Sequence, residues 1–212
     1  MMATQATGTT KAAPLSMEAI HEAGHAVVAA YVRCPFLHAT IKANESSGGH
    51  VCYKRPFVRQ QSHNKATNTF RPRSENQQAT SLIRQACKRA QATLGARAAA
   101  DWYFSKEIAS TYEATYRWDE QILQQASQIL LLPAESFREW RDLVLSTVRE
   151  IIKEPFVQAA IITIATDLQN ALIKGHGISA KHVRDVLKAC ETAHEEQSVS
   201  VQNRPTPAIL PA

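Results

Sequence analysis

His21-Glu22-Ala23-Gly24-His25 is the stretch from which the reading of this chain proceeds. Two histidines four residues apart project from one face of a helix, one turn above the other. Imidazoles so placed can share one tetrahedral metal ion, usually zinc. Glu22, beside the first histidine, then reaches a water at the ion without being a ligand itself. An H-E-x-x-H segment on a helix is the working part of many metallopeptidases. The flanking residues supply the helix. Ile20, Ala23, Val27, Val28 and Tyr31 recur at three- and four-residue intervals, as one apolar stripe. Ser16 suits the N-cap and Glu18 the positive end of the helix dipole. This helix is expected over 17–33, stopping before Pro35, because the residue preceding a proline avoids helical geometry.

Bulk properties frame the motif. The chain has 212 residues, 44% of them hydrophobic, enough for one core and one domain. A net charge of +5 and a pI near 9.1 permit anionic partners without requiring them. Cys34, Cys52, Cys87 and Cys190 are scattered with no C-x-x-C pair, which points to reduced thiols and a cytoplasmic setting. Residues 1–16 lack the apolar region of a secretory signal and read as a disordered lead. No apolar run reaches the roughly 18 residues of a membrane span. The stretch 156–165 is short and runs into Asp167.

The fold class expected is mainly α, a helical peptidase-like domain over 17–195 with a small β-element after the first helix. Weak alternation over 38–43, a Ser47-Gly48-Gly49 turn and strand character over 50–53 supply that element. Residues 54–76 read as a polar loop with Lys54, Arg55, Arg59, Lys65, Arg71 and Arg73 against Glu75 alone. Ala79, Leu82, Ile83, Ala86, Cys87, Ala90 and Leu94 mark a second helix, whose continuation to Phe104 is expected to bend at Gly95. A third helix begins near Tyr116. Pro133 opens a fourth that ends at Pro155. A fifth is closed by Gly175. Ser179 caps a last helix to about Glu195, and 196–212 read as a disordered tail.

A catalytic zinc needs a third protein ligand and an open position. The layout H-E-x-x-H-x-x-G-x-x-H is excluded, since Val28 and Tyr31 occupy the later places. Glu45 has the spacing of a downstream glutamate ligand but precedes a Ser-Gly-Gly turn. A third layout uses an acidic residue on a later helix.

Two segments resemble a known family. Residues 19–29, Ala-Ile-His-Glu-Ala-Gly-His-Ala-Val-Val-Ala, are similar to the opening of the peptidase domain of FtsH-type ATP-dependent zinc proteases, the M41 peptidases. Residues 94–104, Leu-Gly-Ala-Arg-Ala-Ala-Ala-Asp-Trp-Tyr-Phe, are similar to that family's L-G-G-R-A-A-E-x-x-x-F segment. The helix-Gly-Ile-Ser-helix pattern around 177–183 resembles the end of the same domain. The family's third zinc ligand is the aspartate of a T-G-A-x-x-D-L stretch. In register it falls on Asp119, although the Thr-Gly-Ala lead is absent, and Glu113 and Glu120 are its local rivals.

The resemblance implies a Zn²⁺ endopeptidase acting on flexible or unfolded polypeptides. Its metal ligands would be His21, His25 and Asp119, with Glu22 as general base. It implies an extended substrate laid along an edge strand at Gly48, Gly49, His50 and Val51. It also implies a homo-oligomeric ring. No G-x-x-x-x-G-K-[ST] motif is present, so an unfoldase ATPase would be a separate partner. Two other readings are a metal-binding regulatory module without turnover and a nucleic-acid-binding regulator using the basic loop. His38, His50, His63, His176, His182 and His194 lack ligand spacing with the motif and read as ordinary surface or core histidines. Trp118 and Trp140 read as core or interface residues.

Overall fold

The Ser16 hydroxyl starts the first helix by accepting the Ala19 N–H at 3.1 Å. The computed structural model describes residues 14–41, 49–53, 62–64, 69–71, 75–104 and 117–202. Helix α1 (Met17–Tyr31) leads to strand β1 (Phe36–Thr40) and β2 (His50–Tyr53). Then follow β3 (Ser62–Asn64), β4 (Thr69–Arg71) and the long α2 (Glu75–Tyr103). Next come α3 (Arg117–Ile129), a 3₁₀ turn at Ala134–Ser136, α4 (Phe137–Lys153) and α5 (Pro155–Ile173). The two-residue β5 (Ile178–Ser179) precedes α6 (Ala180–Gln202). The architecture is mainly helical, with a three-stranded antiparallel sheet in the order β2-β1-β5 beside the first helix.

Helix α1 is central. It packs against α2, α5, α6 and the sheet. Nearly every residue from Met17 to Ala30 is buried, so the expected single stripe is instead a helix enclosed on all sides. Small residues make this possible: Ala19, Ala23, Gly24, Ala26 and Ala29 let neighbouring helices approach. Tyr31, assigned to the stripe, is exposed at the helix end. Termination comes two residues early. Arg33 adopts φ 56° and the Cys34 N–H donates to the Ala29 carbonyl at 2.7 Å, a left-handed stop ahead of Pro35.

Several boundaries differ from expectation. Helix α2 runs unbroken through Gly95. The 54–76 stretch contains the β3–β4 hairpin and the first residues of α2, and its remaining residues lie outside the described ones. Thr69 and Phe70 are β-favouring types, which suits that pairing. Helix α6 continues to Gln202, past the expected end at Glu195. The lead over 1–13 and the tail over 203–212 lie outside the described residues. As expected, Gly175 closes α5 at φ 72°, with the His176 N–H on the Ala171 carbonyl.

Helix α5 is long and apolar enough to cross a membrane by length and composition alone, at mean hydropathy 1.4. The sequence window ending before Asp167 missed this. Its apolar character also has an account inside the fold. Val157, Ala160, Ile161, Ile164, Ala165 and Leu168 are buried in the core, and Asp167 is answered by His182 Nε2 at 2.7 Å.

Candidate metal centre

One turn of α1 places the imidazoles of His21 and His25 with ring centroids 4.7 Å apart and planes 87° from parallel. Both are buried. Both rings present Nε2 to the same place, within 3.7 Å of one carboxylate. Helix α3 delivers Asp119 to that point from far along the chain. Its Oδ1 lies 3.3 Å from His25 Nε2 and its Oδ2 3.7 Å from His21 Nε2. Glu22 Oε1 stands 3.9 Å from His21 Nε2. Of the rivals, Glu120 faces Arg141 at 3.7 Å and turns away from the histidines. Glu45 and Glu113 lie outside the described residues.

The tautomer of His25 is set by its other nitrogen. Nδ1 is 3.0 Å from the Ala92 carbonyl oxygen on α2, which leaves the Nε2 lone pair facing Asp119 when the ring is neutral. This contact requires α1 and α2 to cross closely, and they do so at Gly24 and Gly95. A Cβ on Gly24 would come within 2.6 Å of the Gly95 oxygen and of Ala99 Cβ. Gly95, expected to bend the helix, serves instead as a point of close approach.

Burial and charge divide the protonation. Burial, aided by the neighbouring His25, pulls the His21 pKa down to about 3. Burial opposes charging of His25, but the charge and hydrogen bond of Asp119, joined by Glu22 and the Ala92 carbonyl, together outweigh it, and the pKa rises to about 9. Burial pushes the Glu22 carboxyl up to about 7. At neutral pH the pair of imidazoles therefore carries one positive charge, on His25.

The donor set fits a zinc ion. Two imidazole nitrogens and one carboxylate are the ligand types of a three-ligand catalytic zinc set. Two buried oxygens, Glu22 Oε2 and Asp119 Oδ2, have no hydrogen-bond partner. Unpartnered buried carboxylate oxygens are costly, and a cation is their natural complement.

The strand proposed to receive substrate lies beside this cluster. A Cβ on Gly49 would meet Glu22 Cγ at 3.0 Å and the Thr40 carbonyl oxygen at 2.9 Å, so only glycine lets β2 sit so close. The Val51 side chain is buried in the core, and only its main chain can meet a ligand. Gly48 lies outside the described residues. Among the described residues, β2 is an edge of its sheet.

Two further residues escaped the sequence reading. The Arg89 guanidinium stacks 3.2 Å above the centroid of the Tyr53 ring. Burial raises the Tyr53 pKa well above 10 and lowers that of Arg89. Arg89 sits on α2 roughly one turn before Ala92, so the helix that holds His25 also carries a cation to the end of β2. No spacing rule connects Tyr53 with Arg89. Trp118, read as core or interface, is 55% exposed. Turning Asp119 inward rotates its neighbour about 100° around the helix and outward.

No known protein family, characterised protein or solved structure is detectably similar to this chain. The likeness to the M41 peptidases is carried by the quoted segments alone.

Proposed function

We propose that this chain is a zinc-dependent endopeptidase of the M41 type, acting on flexible or unfolded polypeptides. The observation that carries the reading is Asp119. A residue chosen in register with a family ligand lies within 3.7 Å of both motif imidazoles. It arrives there with a buried oxygen that has no hydrogen-bond partner.

His21, His25 and Asp119 would hold the ion. When bound, zinc would supply Lewis acidity, activating a water molecule and polarising a peptide carbonyl. Glu22 is the proton carrier. Its carboxyl, raised to about 7 by burial, is matched to taking a proton and returning it near neutral pH. His21 is already neutral at that pH, and the Ala92 carbonyl orients His25. The main chain of Gly49, His50 and Val51 offers a strand edge on which an extended peptide can pair, a sequence-tolerant mode of binding.

The intact Glu22 favours turnover over a purely structural metal site, because a closed structural site has no use for a base. Zinc content of the purified protein, together with hydrolysis of an unfolded protein such as casein with and without chelator, tests the reading. Bound zinc with chelator-sensitive cleavage is the expected result. Metal-free protein, or cleavage indifferent to chelator, overturns it.

A further inference from the structure

Strand β2 has two faces. Val51 turns into the core, and Gly49, just ahead of the strand, lies against Glu22. His50 and Cys52 alternate with them and turn to the opposite face. Across the ladder, His38 on β1 stands opposite Cys52, and Thr40 stands opposite His50. Residues opposite one another on antiparallel strands share a face, and their diagonal neighbours remain within reach of long side chains. His38, His50 and Cys52 therefore gather on the face of the sheet opposite Val51. The His38 and His50 ring centroids are 5.9 Å apart. That compares with 4.7 Å for the motif pair. All three residues are partly accessible, and Cys52 is a free thiol.

We propose that this face is a second transition-metal site, with His38 and His50 as imidazole ligands and Cys52 as thiolate ligand. Two nitrogens and one soft sulfur select zinc or copper rather than magnesium or calcium. The ladder fixes the three backbones on one face, and the donors would converge on an ion by side-chain rotation. A metal held there would cross-link β2 to β1 on the side away from Glu22.

Cobalt(II) distinguishes the two sites, because the first offers only nitrogen and oxygen donors. Titration of reduced protein with Co²⁺ is expected to develop a thiolate-to-cobalt charge-transfer band that saturates with one equivalent bound beyond any cobalt taken by the first site. Cys52→Ser should abolish the band, and His38→Ala or His50→Ala should weaken that site at least tenfold. These positions are only partly buried, and circular dichroism checks that each variant is folded. Absence of the band in the wild type overturns the proposal. So does its survival in Cys52→Ser, or full affinity in both histidine variants. Failure of the first site to bind cobalt leaves the charge-transfer result intact, so the two readings fail separately.

Discussion

Gly24 and Gly95 lie against each other where α1 crosses α2, each so close to the other's carbonyl oxygen that a Cβ on either would approach to 2.6 Å. This crossing allows the Ala92 carbonyl to reach His25 Nδ1 at 3.0 Å. Packing of two helices and orientation of His25, a proposed metal ligand, thus depend on the same pair of residues.

Gly95→Ala is expected to force the helices apart. Overpacking of this kind costs roughly 1–3 kcal/mol. Loss of an outer partner of a metal-binding histidine lowers affinity about 10–100-fold. Thermal melting and a competitive zinc titration measure the two effects. A variant with unchanged melting temperature and zinc affinity would show that the close crossing is not required.

Replacing Glu22 by Gln keeps the shape and removes the base. Zinc content should stay near that of the wild type while peptide hydrolysis falls by about 10²–10⁴-fold, the usual worth of a positioned general base. Steady-state cleavage of a fluorogenic peptide reads the loss. Undiminished cleavage would remove Glu22 from the proposed chemistry.

Asp119→Ala and Glu120→Gln should part company. The first removes a carboxylate 3.3 Å from His25 and should lower zinc affinity by more than the 100-fold or so typical of an outer partner. The second breaks only a contact with the partly exposed Arg141 and should leave zinc binding alone. The reverse order would make Glu120 the ligand.

Protonation of the cluster makes zinc binding and stability depend on pH. The His25 pKa in the folded protein is about 9, above its ordinary 6.5, so at pH 7 metal must displace a proton from it. Zinc affinity should therefore rise with pH up to about 9, with close to one proton released from His25 per ion near neutrality. The stabilisation of chelated protein by charged His25 is fully present below 6.5 and lost as pH rises through 9. His21 acts oppositely. Its folded pKa of about 3 lies below its ordinary value, so its contribution falls away as pH drops below 6.5, where the unfolded chain takes up the proton. Calorimetric titration in buffers of different ionisation enthalpy counts the protons. Zinc affinity independent of pH between 7 and 9 would contradict the assignment.

Arg89→Met leaves an apolar chain over the Tyr53 ring and removes the stacked charge. The expected loss is about 0.5–2 kcal/mol, the range for a cation–π contact between exposed and desolvated limits. Chemical denaturation measures it. No loss would mean that the desolvation of Arg89 offsets the contact.

Much of the helical scaffold was legible because its signals are local. Ser16 caps α1, Pro155 bounds the end of α4 and Gly175 closes α5, each through its own backbone or hydroxyl chemistry. His21 and His25 were legible as a pair because a helix converts a spacing of four into a shared face. Asp119 could be located only by register with a known family, since no local rule links it to residues so far away in the chain. The enclosure of α1, the close passage at Gly24 and Gly95, and the stacking of Arg89 on Tyr53 had no local signature. Small residues look alike in sequence whether they bend a helix, fill a gap or admit a neighbour. Their meaning depends on which surface packs against them, and that surface belongs to another part of the chain. Local periodicity and capping therefore account for the helices and the imidazole pair, while long-range packing brings the carboxylate, the Ala92 carbonyl and the glycine of β2 to the same few ångströms.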